Sequence, residues 1–324
     1  MWKNLRLNWI AFASSLLLFG AILFLLSRRE GLNEVLAAWH GTNPIAFCLA
    51  ILVMLVVQAI SACRVKIIAT TEGLRAVGYL SLLRIQLISQ FVAYGAPIAA
   101  LSDIAKAAMI KLRFDLPIGQ SVRIILYERV CGALGAVVVG LFATLVQLVV
   151  PTPATLIDIQ FLVWGMGLLT GGIILAIGGL HTRSGEGLFN RAARTLILLG
   201  NMLRRPTVAG QMFLVSFAQL MGFALTFMVL GQGMHLPASN IHIVLFMPFI
   251  FLVSSLPIFY LGWGGREAIV ILTIGGQGTM SSAQSIALSV AFGIVVFLSS
   301  IPGAVFWLMR PSMRKLVRLE VKQT

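Results

Sequence analysis

Charge is scarce in this chain. Of its 324 residues only 10% are Asp, Glu, Lys or Arg, while 59% are apolar. A water-soluble domain of this length carries roughly a quarter charged residues, so a globular cytosolic enzyme is excluded at the outset. Cysteine is scarce too: Cys48, Cys63 and Cys131 all lie in apolar segments, with no Cys-x-x-Cys pair. That argues against a disulfide framework or a structural zinc site. The four histidines are scattered without a His-x-x-x-His pair, so no clustered ligand set for a metal is visible. No Walker loop, His-Glu-x-x-His or Ser/His/Asp arrangement occurs. Direct ATP hydrolysis is unsupported and no cofactor is implied.

Acidic residues are the rarer sign of charge, 10 against 24 Lys and Arg, for a net charge of +14. In a soluble protein such an excess suggests nucleic acid. Here the basic residues sit between apolar runs, where they set membrane orientation and attract anionic lipid. No nucleic-acid partner is expected.

Apolar stretches run over 9–27, 44–63, 79–97, 120–150, 160–180, 207–231, 241–260 and 282–309, with shorter helical stretches at 98–112 and 264–276. Crossing the hydrocarbon layer takes about 20 residues at about 1.5 Å each. The first run ends Ser27-Arg28-Arg29 without a small-residue cleavage pattern and reads as a retained helix. The chain is therefore an all-α polytopic membrane protein forming a single integral membrane domain over 1–324. Eighteen Lys/Arg fall in the N-terminus, 64–78, 111–123, 181–205 and 310–324, whereas the opposite loops hold only Arg28 and Arg29. The positive-inside bias places both termini in the cytoplasm, and the bacterial inner (plasma) membrane is the expected location.

With that orientation, residues 79–112 begin and end inside, turning at Gly95-Ala-Pro97. Residues 241–278 begin and end outside, turning at Pro257 and the Gly262-Trp-Gly264-Gly265 run. Each reads as a re-entrant helical hairpin broken in the membrane, beside about six spanning helices. Pro97 precedes Ser121 by 24 residues, as Pro257 precedes Ser281. This spacing predicts an inverted repeat, 44–150 against 207–309, of the kind transporters use. Two amphipathic stretches flank it. Leu32, Val35, Leu36 and Trp39 recur at helical spacing on the outer side. A cytoplasmic linker at 181–205 carries Leu188, Ala192, Leu196, Leu199 and Leu203 on one stripe. Each is either interfacial or packed on its own protein. Gly167-x-x-x-Gly171 permits close helix packing.

Seven ionisable side chains lie in or at the ends of apolar segments: Arg84, Asp103, Lys106, Glu128, Arg129, Arg266 and Glu267. Stranded separately in lipid, each costs about 2.5–3.5 kcal/mol, together on the order of 20 kcal/mol. That exceeds the stability of a typical domain, so they must pair or line a wet cavity. Asp103 and Lys106, three apart, can meet on one helix face. The adjacent pairs Glu128-Arg129 and Arg266-Glu267 are poorly placed to bridge within their own helices, so partners on other segments are expected, with both hairpins bringing charge towards Glu128 and Arg129. A salt-bridge lock and a polar midplane site for an anionic ligand are the two readings of that constellation. The helix opening at Gly265 also turns its first N–H groups and positive dipole end towards the break, beside Arg266, a setting for phosphate or carboxylate.

These residues resemble a known family. Phe91-Val-Ala-Tyr-Gly95-Ala-Pro97, Leu101-Ser102-Asp103, Lys106 and Tyr127-Glu128-Arg129-Val130 are similar to the first signature of the lysylphosphatidylglycerol synthase transmembrane-region family. That signature is a Pro, a Gly-Gly-Asp, a basic residue three positions on and an acidic-Arg pair in the next helix. Gly262-Trp-Gly264-Gly265-Arg266-Glu267-Ala268 looks like its Gly-x-Gly-x-Arg-Glu-Ala element, with Ala283, Ser289 and Ile301-Pro302-Gly303 downstream. Leu101-Ser102 stands in place of Gly-Gly, and Lys106 where Arg is typical. The resemblance implies a flippase-like module moving an anionic or modified (phospho-, glyco- or aminoacyl) lipid. The seven ionisable residues are the expected substrate-binding set, in which Arg129, Arg266 and Lys106 contact phosphate while Asp103, Glu128 and Glu267 hold those bases in place or admit a cationic headgroup. The family's aminoacyl transferase is a separate soluble domain following the membrane part. With about 15 residues after the last apolar stretch, no synthase activity is expected. Two alternatives stay open: a non-catalytic membrane partner of a lipid-modifying synthase, and a lipid-linked transferase using a buried carboxylate as base. A homodimer is the remaining expected assembly.

Overall fold

The computed structural model describes residues 31–74, 77–95, 100–149, 200, 204–255, 262–277 and 280–309. Among them every regular element is helical: α1 (Gly31–His40), α2 (Pro44–Thr71), α3 (Tyr79–Gly95), α4 (Ala100–Phe114), α5 (Ile118–Val149), α6 (Pro206–Gly233), α7 (Asn240–Ser254), α8 (Gly265–Thr273), a 3₁₀ turn (Gly275–Gln277), α9 (Ser282–Ser299) and α10 (Ile301–Leu308). The expected helices at 9–27 and 160–180, the 181–205 linker apart from residues 200, 204 and 205, Gly167-x-x-x-Gly171 and the breaks at Pro97 and Pro257 lie outside the described residues.

Length sorts these helices into two kinds. Four spans are long and apolar enough to cross a membrane: Pro44–Thr71, Ile118–Gln147, Pro206–Gly233 and Ser282–Leu308. The 28 residues of α2 reach about 42 Å at 1.5 Å per residue, beyond the ~30 Å hydrocarbon layer. By contrast α3 has 17 residues, α4 15, α7 15 and α8 nine, each too short to cross alone. They come in consecutive pairs, α3 packed on α4 and α7 on α8, as broken hairpins require. The spanning helices carry apolar stripes that stay exposed: Ile45, Leu49, Leu52 and Val56 on α2, and Leu134, Val138, Leu141 and Leu145 on α5. In water such faces drive aggregation; in a bilayer they meet acyl chains.

Two boundaries differ from the sequence expectation, and one open reading is decided. α2 continues to Thr71 instead of stopping at Cys63, which puts Arg64 inside a helix and not in a loop. The last apolar stretch is two helices, interrupted at Ser300. Pro302, in the first turn of α10, has no N–H to continue the ladder from α9. Finally, α1 packs on α9 with Val35 against Ala283 and Ile286 while Leu36 remains exposed. Of the two readings of that amphipathic stretch, the one packed on its own protein is observed.

The chain divides into two compact units, each taking one hairpin and part of α2, α5 and α6. Of the described residues, the first combines those within 31–57, 136–149 and 219–299; the second combines those within 58–135, 200–218 and 300–309. In the first, α2 and α6 approach closely because small residues face the contact. A Cβ on Gly222 would fall 2.4 Å from Val57 Cγ2, and one on Gly233 would fall 2.4 Å from Ala46 Cβ. The second has an apolar core in which Val65 and Ile68 of α2, Leu82 and Ile85 of α3, Met109 and Ile110 of α4, and Ile124 and Tyr127 of α5 interdigitate. Here α10 is seated on α3 at Gly303, where a Cβ would fall 2.1 Å from the Leu87 carbonyl oxygen.

Candidate functional site

Each unit places its hairpin's charged residues among buried neighbours, in two different ways. In the second unit, Lys106 lies two turns into α4 and Glu128 about 15 Å along α5. Lys106 Nζ donates to Glu128 Oε2 at 2.6 Å and Oε1 at 2.8 Å, and also to Gln86 Oε1 of α3. Gln86 in turn donates through Nε2 to Gln58 Oε1 of α2 at 2.9 Å, and Ser61 Oγ donates to Glu128 Oε1 at 3.2 Å. Arg64, one turn further along α2, brings its Nη2 to 3.8 Å from Glu128 Oε1. The side chains of Lys106 and Glu128 are only 6% and 7% exposed. Desolvated charges persist only when paired and hydrogen-bonded, and four helices supply that pairing here.

Beside this sealed cluster lies an open one. Arg129 donates to Asp103 of α4 through Nη2 at 2.8 Å and Nε at 3.1 Å, the two-pronged geometry that suits guanidinium to carboxylate. Its side chains are 49% and 35% exposed. Because Glu128 and Arg129 are consecutive on a helix, they point about 100° apart, one into the core and the other out of it. A half-exposed ion pair within a spanning segment is tolerated facing water or protein, not hydrocarbon. Asp103 and Lys106 thus do not pair with each other, contrary to the spacing argument; each reaches across to α5. A direct partner on a second helix, fixed by hairpin packing, outcompetes the weaker contact along one helix face.

In the first unit the hairpin α7–α8 turns at Gly262 and Gly264, with φ of 78° and 84°. Side chains rarely adopt this backbone region, so glycine fits both positions. A Cβ on Gly262 would also lie 3.1 Å from the Ser254 carbonyl oxygen at the end of α7. Glu267, at the third position of α8, accepts from the Gly264 N–H through Oε2 at 2.6 Å. It thereby satisfies an otherwise unpaired helix-start donor. Its Oε1 accepts from Arg266 Nη2 at 2.9 Å and from Ser289 Oγ of α9 at 2.9 Å, and Ser289 Oγ accepts from Arg266 Nε at 3.0 Å. The adjacent pair Arg266-Glu267 therefore does bridge within its own segment. At a helix start the Glu267 side chain folds back to the cap, which brings its second oxygen within reach of the neighbouring guanidinium.

Aromatic rings close the remaining sides of that pair. Arg266 Cζ sits 5.0 Å from the Trp263 ring centre and 5.4 Å from that of Phe292, within the range of cation–π attraction. Phe292 stacks on Phe227 at 4.5 Å. A Cβ on Gly293 would come within 2.6 Å of Arg266 Nη2 and 2.9 Å of the Trp263 ring, so the guanidinium occupies space that glycine leaves. Glu267 is 0% exposed and Arg266 5%.

Of the other sequence candidates, Arg84 is exposed on α3 with its guanidinium 5.7 Å over Phe306 of α10, apart from either acidic cluster's hydrogen bonds. Gly95 ends α3, and Gly265 opens α8. Sequence reasoning missed Arg64, Gln58, Ser61 and Gln86 as members of the charged cluster. For Arg64 the available signal was the apolar run Ile67-Ile68-Ala69 continuing beyond it. For the three uncharged residues there was none, since Gln and Ser inside a membrane helix are common packing residues.

No curated protein matches the chain. The lysylphosphatidylglycerol synthase TM region matches residues 10–303, most of the sequence, with both hairpins and the charged residues they carry inside the match. The protein is therefore an integral membrane protein belonging to the lysylphosphatidylglycerol synthase transmembrane-region family, related to lipid modification or translocation.

Proposed function

We propose that this chain translocates an anionic or modified phospholipid across a bacterial inner membrane, without chemical change to the lipid. In this reading both termini are cytoplasmic, the two hairpins belong to an inverted repeat, and the headgroup passes a polar midplane cavity while its acyl chains stay in the bilayer. The observation that supports it best is the half-exposed Asp103–Arg129 pair, held inside apolar segments directly beside the sealed Lys106–Glu128 pair. In this reading the pair sits where water reaches charge at membrane depth, since lipid does not tolerate exposed ions. Arg129 can exchange the Asp103 carboxylate for a headgroup phosphate, since both present two oxygens to the same fork.

The test is crossing of fluorescently labelled phosphatidylglycerol in liposomes reconstituted with the purified chain, read by quenching from outside. Asp103→Asn and Arg129→Gln are expected to slow crossing by tenfold or more. Equal crossing in both variants and the wild type removes the mechanism. A second reading is a non-catalytic partner of a lipid-modifying synthase; the fully satisfied Arg266–Glu267–Ser289 arrangement favours it, because it has the form of a structural lock. Co-purification with such an enzyme, together with no lipid crossing by the chain alone, would select it. Appearance of a chemically altered lipid in the same liposomes would instead identify a transferase.

A further inference from the structure

The buried cluster of the second unit holds two cations and one carboxylate: Arg64, Lys106 and Glu128. Lys106 directs its hydrogen bonds at Glu128 and Gln86. Arg64 is not satisfied in this way. Its Nη2 stands 3.8 Å from Glu128, beyond hydrogen-bond length, and its Nε is buried without a hydrogen-bond partner. The guanidinium lies against Gly132 of α5, where a Cβ would be 3.1 Å from Nη1. A planar fork of five donors, desolvated and left with a surplus positive charge, is a costly choice for a position that only needs filling.

We propose that Arg64 is the phosphate-binding residue of this cluster, and that Glu128 is the internal anion which the phosphate displaces from Arg64 and Lys106. The ligand chemistry is a phosphate group, whose oxygens match the guanidinium fork. The inference rests on the reading that this unit handles an anionic lipid, and adds which buried cation its headgroup reaches. With Arg64 almost fully covered, the phosphate gains access when α2, α4 and α5 part, so its binding favours the opened arrangement over the closed one.

The experiment is thermal unfolding of the detergent-purified full chain, titrated separately with dioleoylphosphatidylglycerol, dioleoylglycerol and inorganic phosphate. Phosphatidylglycerol is expected to raise Tm and dioleoylglycerol, which has the same acyl chains but no phosphate, is not. An equal rise with inorganic phosphate assigns the site to the free anion; a rise with the phospholipid alone assigns it to a lipid headgroup. Arg64→Met is expected to leave the unliganded Tm unchanged or raised, and to weaken the phosphatidylglycerol response by about tenfold or more. Glu128→Gln is expected to move the response the opposite way, to lower concentration. A strongly lowered Tm in Arg64→Met, or a phosphatidylglycerol response equal to wild type, overturns the proposal by making Arg64 structural. Should Glu128→Gln fail to fold, the wild type and Arg64→Met still decide. Liposome crossing separates the two claims: binding without crossing in the wild type refutes translocation alone, and crossing unaltered in Arg64→Met refutes this site alone.

Discussion

The two hairpins carry the same kinds of residue and use them differently. In the first unit one base and one acid, Arg266 and Glu267, balance each other, cap α8, bond Ser289 and are enclosed by Trp263 and Phe292. In the second unit the charges span three helices and do not balance: Arg64 and Lys106 face Glu128, while Arg129 and Asp103 remain half exposed. A matched, sealed pair holds a turn in shape. A mismatched cluster next to a half-exposed pair carries a charge that its own residues do not balance. The presence of buried charge thus says little about role; its stoichiometry and its exposure say more.

Charge stoichiometry can be read out by single substitutions. Glu128→Gln leaves two buried cations without a counter-ion and is expected to cost about 3–5 kcal/mol, among the largest effects. Lys106→Met leaves Arg64 facing Glu128 at equal charge, so its cost should be smaller, about 1–3 kcal/mol. Thermal unfolding in detergent measures both, and equal losses would erase the claimed imbalance. In the first unit the corresponding changes should be symmetrical. Arg266→Met and Glu267→Gln each strand one charge, at about 3–5 kcal/mol. The double variant should recover most of that loss, because Gln still accepts from the Gly264 N–H. No recovery in the double variant would mean that the pair does more than balance itself.

Backbone geometry comes next in size. Gly264→Ala forces a side chain into φ of 84°, at about 1–2 kcal/mol. Gly293→Ala pushes on Arg266 and Trp263, an overpacking cost of about 1–3 kcal/mol that falls, but does not vanish, if Arg266 is first shortened to Met, because the Trp263 ring stays within 2.9 Å. The smallest stability change is expected in the half-exposed pair. Asp103→Asn should cost under about 1 kcal/mol, since a half-exposed ion pair is screened, yet slow lipid crossing. A large stability loss there would make Asp103–Arg129 a lock like its counterpart.

Much of the fold could be read from the chain before any coordinates. Apolar runs bounded by Arg, Lys, Gly and Pro located most described helices to within a few residues at most ends, although the run 282–309 did not separate α9 from α10, and spanning length separated crossing helices from hairpin arms. The clearest miss, the end of α2, came from treating Arg64 as a loop residue. A charge ordinarily marks an interface, and only its neighbours across space reveal one that is buried. The site was legible as a set of residue types but not as a set of pairs. Asp103 and Lys106 satisfy the rule for meeting on one helix face, and Arg266 and Glu267 violate it; yet the former pair separates and the latter joins. Local spacing determines which contacts are possible, whereas packing of α4 on α5, and the folding back of Glu267 onto the Gly264 cap, determine which are made.

Composition and periodicity by themselves determined that this is a helical membrane protein with two broken hairpins and a handful of charges that cannot stay alone in hydrocarbon. The physical reason is that backbone hydrogen bonding and chain length in a bilayer are dictated residue by residue. The tertiary structure alone decided which charge pairs with which, that Arg64 belongs among them, and that one cluster is neutral and closed while the other is cationic and partly open. Those outcomes depend on distances between segments far apart in sequence, and on desolvation that only packed neighbours can impose.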